Sequence, residues 1–144
     1  MGYFNQYVMA ESLEEAYGLY QKKNNFILGG MLWLKMRKRP FGTAIDLSNL
    51  GLDQIEEDEQ EFRIGAYVSL RELEMNEALN AYTKGAFAES VKHIVGVQFR
   101  NVATVGGSLW GRYGFSDVMT IFRAMGAKVQ LHHAGILDLD ELVK

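Results

Sequence analysis

The sequence predicts an α+β fold. Helical and strand-like segments alternate irregularly, without the repeating β–α–β order of a doubly wound parallel sheet. An acidic run between two apolar segments marks at least one hairpin. Ser-x-x-Glu capping boxes at Ser12 and Ser69 open short helices.

The elements follow in chain order. In Ser12-Leu13-Glu14-Glu15 the serine hydroxyl can accept the N–H of Glu15, and the glutamate can return the bond. Leu13, Ala16, Tyr17 and Tyr20 then recur at helical spacing, which predicts a helix over about residues 13–22. Lys22 and Lys23 suit its C-terminal dipole, and Asn24-Asn25 stops it. Phe26 to Leu28 reads as a buried strand broken by Gly29-Gly30. Met31 to Arg39 reads as one or two helical turns ending in a basic cluster, closed by the single proline, Pro40. Thr43 to Leu47 reads as a strand.

Glu56 to Glu61 reads as a solvated hairpin tip. Its consecutive carboxylates lack the ligand spacing of a calcium loop. Phe62 to Val68 is a strand, and Ser69 opens a helix through about Met75. Glu77 to Ile94 is mainly helical, with a break near Thr83 to Gly85. The stretch RNVATVGGSLWG, Arg100 to Gly111, reads as a second strand–GlyGly–turn unit like FILGGMLWL, Phe26 to Leu34. Asp117 to Met125 is a helix capped by Ser116 and ended by Gly126, Ala127 to His132 is a strand, and Asp138 starts one more helix. A boundary near residues 49–53 divides the chain into subdomains 1–52 and 53–144.

Composition excludes several functions. The chain of 144 residues is 48% hydrophobic and 23% charged, as a folded domain with its own core should be. It has no cysteine, so it holds no disulfide, cysteine-ligated zinc or iron–sulfur cluster. A net charge of −3 disfavours nucleic acid, and the cluster Lys35, Arg37, Lys38 and Arg39 is too small to reverse that. No apolar run approaches the ~20 residues of a membrane span, and no secretion signal opens the chain. The expected location is cytoplasmic. His93, His132 and His133 lack metal-ligand spacing, and the adjacent pair would project to opposite faces of a strand. No Ser/His/Asp set for hydrolysis can be assembled.

A glycine pair has two common uses. One is a turn that needs positive φ. The other is close approach of a ligand to backbone N–H groups, as phosphate requires. Neither pair belongs to a G-x-G-x-x-G or Walker pattern. Two such loops brought together could clasp a pyrophosphate without basic side chains. Trp33 and Trp110 each follow a pair by a few residues and could either stack on a ring or cap a core.

The segment SVKHIVGVQFRNVATVGGSLWGRYGFSD, Ser90 to Asp117, resembles the FAD-binding subunit or domain of the molybdenum hydroxylases, a family that includes xanthine dehydrogenase and aerobic carbon monoxide dehydrogenase. Gln98, Arg100, Asn101, Ala103, Thr104, Val105, Gly106, Gly107 and Ser108 match its second flavin loop, with Ser116-Asp117 after a gap. Leu28-Gly29-Gly30-Met31-Leu32-Trp33 is similar to its first loop, with Met31 where the family usually has threonine. The SLEEA helix, AIDLSNL and FRIGAYVSLREL also fit, so the likeness covers nearly the whole chain.

The resemblance implies the PCMH-type FAD-binding fold, two small α+β subdomains with FAD between them. It implies that Leu28, Gly29, Gly30, Met31 and Leu32 form a first pyrophosphate loop and that Thr104, Gly106, Gly107 and Ser108 form a second. Asp117 would anchor the adenosine ribose or a nearby turn, and Ile94 and Leu109 would touch the flavin or adenine rings or pack in the core. It implies an oxidoreductase subunit without catalytic side chains or metal of its own. Electrons would come from [2Fe–2S] clusters on a small subunit, after chemistry at a molybdenum cofactor on a molybdopterin-binding large subunit, and leave to NAD⁺ or another acceptor. The family's C-terminal subdomain is expected to be absent, which implies self-association or dependence on partners. The alternative is a non-catalytic assembly module that binds FAD weakly or not at all.

Overall fold

The computed structural model describes residues 3–144. Three parallel strands form the first layer: β1 (Phe4–Met9), β2 (Phe26–Ile27) and β3 (Phe41–Asp46), in the order β1-β3-β2. β3 is central, and four of its six residues are buried, whereas β1 is an exposed edge strand. Register runs from Phe4 opposite Phe41 to Met9 opposite Asp46. Helix α1 (Leu13–Tyr20) packs on this sheet. Ser12 caps it, accepting from the Glu15 N–H at 3.1 Å. The returning bond reaches one residue further than a capping box, because the Glu15 carboxylate accepts from the Glu11 N–H.

Buried Asn25 fixes the turn into β2. Its amide donates to the Leu19 carbonyl at 2.8 Å and its Oδ1 accepts from the Thr43 N–H at 2.9 Å. Both ends of a buried amide are thereby satisfied.

Strands β4 (Ile55–Glu57) and β5 (Phe62–Ile64) form the expected acidic hairpin. Arg63 pairs with Asp58 and Glu61 across its tip. Short helices follow: α2 (Leu70–Met75), α3 (Glu77–Tyr82), α4 (Ala86–Val91), α5 (Val97–Val102), α6 (Val105–Trp110) and α7 (Asp117–Ala124). The hairpin β6 (Lys128–Leu131) and β7 (Gly135–Asp138) leads to α8 (Leu139–Leu142). The Ser69 and Asp138 capping boxes are both complete.

Three expectations need correction, and two strands went unread. Residues 97–110 are two helices, not a strand and a loop; Thr104 caps α6, and Gly106-Gly107 lies within its first turn. The strand begun at Phe62 stops at Ile64. Met31 to Arg39 yields a single 3₁₀ turn, Leu34–Met36. β1 and β7 carried no expectation of their own; β1 is masked by polar Asn5 and Gln6 and by its exposure.

The main core joins Val68, Leu70, Leu73, Phe87, Val91, Val105, Val118 and Phe122, all at or below 7% exposure. Smaller cores lie around Ala10, Ala16, Ile45 and Leu47 and around Leu28, Phe41 and Ala44. One ion pair is embedded among the α2 and α5 side chains. Arg100, 5% exposed, donates to Glu74 at 3.0 Å and to the Ile94 carbonyl at 3.2 Å. Arg71 reaches the same Glu74 oxygen at 2.8 Å. Burial opposes ionisation of Glu74, but hydrogen bonds from Arg71 and Arg100 outweigh it and hold its pKa below the ordinary glutamate range.

Removing Arg100 would leave Glu74, whose side chain is 12% exposed, with only the more exposed Arg71 as its partner. Arg100→Ala is therefore expected to lower unfolding free energy by about 3–5 kcal/mol, read from urea denaturation. Because the folded-state pKa of Glu74 is depressed, its contribution is full above the unfolded-state value of ~4.3 and is lost as pH falls through the lower folded value. Parent stability should drop over that acidic window more steeply than that of Glu74→Gln.

Candidate functional site

The two glycine pairs, about seventy residues apart in sequence, meet in space. A Cβ added at Gly30 would lie 2.2 Å from the Val102 carbonyl oxygen, so a side chain cannot fit there. A Cβ at Gly29 would lie 3.1 Å from Thr104 Oγ1, and one at Gly107 3.0 Å from the same atom. The Thr104 hydroxyl thus stands between the pairs. Beyond them, Trp33 meets Tyr113 at 5.9 Å, and Tyr113 stacks on Phe115 at 5.2 Å. Trp33 and Trp110 are 61% and 56% exposed, so neither caps a core.

Backbone crossings hold this arrangement. The Leu70 N–H donates to Ala103, Val105 to Val68, and Gly106 to Ala66, at 2.8–2.9 Å. Residues 66–70 and 103–106 therefore run antiparallel beside each other. Gly106 is glycine because a Cβ there would lie 2.8 Å from both the Cβ and the carbonyl oxygen of Ala66. Tyr67 extends the crossing to the first loop. Its hydroxyl donates to the Leu28 carbonyl and accepts from the Leu47 N–H at 3.0 Å. Burial pushes the phenol up from its ordinary value despite the Leu47 bond, so it remains a neutral donor at physiological pH.

The loops differ in what they offer a ligand. Among the described residues, the N–H groups of Gly29, Gly30, Met31 and Leu32 donate no hydrogen bond. Met31 adopts φ 59°, a left-handed conformation unusual for a side chain of its size. Such successive free amides suit an anion. Leu28 does not join them, because its N–H donates to Ile45 at 2.8 Å.

In the second loop the amides are already engaged. Gly106 donates to Ala66 at 2.8 Å, Gly107 to Thr104 Oγ1 at 3.2 Å, and Ser108 to the Thr104 carbonyl at 3.0 Å. The Ser108 hydroxyl also donates to that carbonyl, at 2.8 Å. The N–H groups expected to clasp a phosphate thus already have partners within the chain. What remains is the Thr104 hydroxyl proton, since Oγ1 accepts from Gly107 and has a hydrogen left to give.

Asp117, the first residue of α7, is exposed, and its carboxylate makes no hydrogen bond or ion pair among the described residues. Ile94 and Leu109 are half-buried against the main core. Tyr67 and Val102 escaped the sequence reading. An aromatic after a strand looks like core, and Val102 acts through its carbonyl, which no side-chain pattern reveals.

Facing loops with free backbone donors on a mixed α and β scaffold define a domain suited to a phosphorylated cofactor. The chain belongs to the family described as FAD binding domain in molybdopterin dehydrogenase, which it matches over residues 3–139. FAD is the cofactor of that family. No curated protein matches the chain. Among solved structures, a carbon monoxide dehydrogenase from Hydrogenophaga pseudoflava is 26% identical, with a TM-score of 0.82 over 94% of this chain and 50% of that one. A reconstituted CO dehydrogenase from Oligotropha carboxidovorans (24%, TM-score 0.81, the same coverages) shares the fold. So does quinoline 2-oxidoreductase from Pseudomonas putida 86 (20%, TM-score 0.80, the same coverages). The chain spans about half the length of these solved chains. Among the described residues no helix is long and apolar enough to cross a membrane.

Tyr67→Phe removes one hydroxyl and leaves the Leu28 carbonyl and the Leu47 N–H without partners. The expected loss is about 1–3 kcal/mol of stability, together with weaker flavin binding. Urea denaturation and a flavin titration on the same preparation would check both.

Proposed function

We propose that this chain binds FAD between lobes 1–52 and 53–144. Its role is that of the flavin-carrying electron-transfer part of a molybdenum hydroxylase. The Thr104 hydroxyl, poised between Gly29 and Gly107 beside four unengaged amides, carries this reading.

The N–H groups of Gly29, Gly30, Met31 and Leu32 hold the diphosphate. Backbone donors supply directional charge stabilisation without the entropy cost of ordering long basic side chains. Thr104 adds a hydroxyl donor from the opposite lobe. Ser108 has no proton left to give, and acts only as an acceptor. The Asp117 carboxylate accepts from ribose hydroxyls, and Ile94 and Leu109 provide an apolar wall for a ring. Gly106 is the pivot of the second loop and Gly107 keeps its approach open; Leu28 positions the first loop through Tyr67. When bound, FAD supplies the redox chemistry, while the chain positions it.

The chemistry around this domain follows from the family. With no cysteine in the chain, [2Fe–2S] clusters would sit on an iron–sulfur small subunit and the molybdenum cofactor on a molybdopterin-binding large subunit. The electron acceptor, NAD⁺ or another carrier, would approach the flavin. The exposed aromatics Trp33, Trp110 and Phe115 lie beside the loops, where a ring can stack.

Two substitutions at one position separate cofactor contact from capping. Thr104→Ser keeps the cap and hydroxyl, and should leave FAD affinity near that of the parent. Thr104→Val loses both, costing about 1 kcal/mol of stability and about tenfold in FAD affinity, ~1.4 kcal/mol. Flavin fluorescence titration is the measurement; equal affinities in all three proteins would remove Thr104 from the site.

The basic cluster gives the complementary expectation. Backbone amides already serve the phosphates, and Arg37 is occupied over the Phe26 ring at 4.4 Å. Changing Lys35, Arg37, Lys38 and Arg39 to serine should leave FAD affinity within a few-fold. A hundredfold loss, ~2.8 kcal/mol, in the same titration would relocate the phosphate site to that cluster.

A further inference from the structure

The adjacent histidines do not diverge as a strand would require. His132 and His133 lie in the turn between β6 and β7, and His133 takes φ 68°. That left-handed residue swings the second ring to the same side as the first. Both Nε2 atoms lie 2.9 Å from one oxygen, Oε2 of Glu14, at the start of α1 and 118 residues away from His132. The rings stand edge to face, 4.4 Å apart at 89°. Tyr17, on the same helix as Glu14, stacks on His133 at 4.1 Å and meets the edge of His132 at 5.8 Å. The ligand atoms of Glu14, His132 and His133 all lie within 4.8 Å of one another, and all three residues are exposed.

We propose that Glu14, His132 and His133 form a binding site for a divalent transition-metal ion such as zinc, which ties α1 of the first lobe to the β6–β7 turn of the second. The donor set decides the class of ion. Two imidazoles and one carboxylate suit zinc and its neighbours, whereas calcium and magnesium prefer all-oxygen shells. Geometry is close to what such an ion needs. Bonds of about 2.0–2.2 Å to nitrogen and carboxylate oxygen place neighbouring ligand atoms roughly 3.0–3.6 Å apart. The observed 2.9 Å separations open to that range with small rotations of exposed side chains. Tyr17 limits the rotamers of both rings, so less freedom is lost on binding. Exposure leaves the remaining coordination positions to water.

The site shares no residue with the glycine loops and does not depend on the flavin reading. Its test is zinc titration by calorimetry on the full chain, carrying no histidine tag and stripped with a chelator beforehand. One ion per chain is expected. Glu14→Gln, His132→Ala and His133→Ala should each weaken binding by more than about tenfold, whereas His93→Ala, which removes the remaining histidine, should not. Saturating zinc should raise the melting temperature of the parent and of His93→Ala, and not that of the other three. These are surface substitutions, and circular dichroism checks that each variant is folded. Parent binding no tighter than in the Glu14→Gln/His132→Ala/His133→Ala triple variant would overturn the proposal. So would unchanged binding after loss of either histidine.

Discussion

The candidate site depends on one backbone crossing. Residues 66–70 and 103–106 exchange three hydrogen bonds, Leu70 to Ala103, Val105 to Val68 and Gly106 to Ala66. Backbone bonds fix chain against chain to within a few tenths of an ångström in a way that side-chain packing does not. From this crossing Tyr67 reaches outward to Leu28 and Leu47, and Val102 presents its carbonyl to Gly30. Gly106 is fixed by the crossing itself, since any Cβ would strike Ala66.

Packing on either side reinforces the same join. Leu32, just past the first glycine pair, packs against the large core formed by residues 68–142, while neighbouring Met31 packs with Leu28, Phe41 and Ala44. Consecutive residues of one loop are thus shared between two cores. That sharing explains the left-handed backbone at Met31, where threonine is usual in the resembling family. The conformation costs of the order of 1 kcal/mol or more, and burial of two adjacent apolar side chains in different cores offsets it. A loop pinned this way keeps its amides oriented before any ligand arrives, which lowers the ordering cost of binding.

Much of the fold was legible because its signals are local. Ser69 announces a helix through a capping box that forms, Asp138 starts the last helix, and Asp58 to Glu61 of the acidic run form a hairpin tip while Glu56 and Glu57 pair within β4. Ser12 caps α1, though Glu15 answers to Glu11 instead. The failures are also physical. Val97 to Trp110 contains three glycines if Gly96 is included, together with four β-branched residues, so propensity argues against the two helices that tertiary contacts impose. β1 alternates weakly because an exposed edge strand buries little. The meeting of Glu14 with His132 and His133 is a non-local event that hinges on one positive φ, and no spacing rule anticipates it.

The site's division of labour was the least legible part, because identical dipeptides do different work. Both pairs read as Gly-Gly, and both resemble flavin loops in sequence. In Gly29-Gly30 the missing side chains let the loop lie against Val102 and Thr104 while its amides stay free. In Gly106-Gly107 the first lets a helix start flush against Ala66 and donates to it, while the second donates to the Thr104 cap. The first pair leaves its amides free, as an anion would need; the second seats the start of α6 against Ala66. Thr104 stands where the two pairs meet, near both Gly29 and Gly107. Its Oγ1 caps α6 by accepting from the Gly107 N–H and still has a proton to give, so in the proposed reading one hydroxyl joins the rigidity of the helix start to the binding of the cofactor.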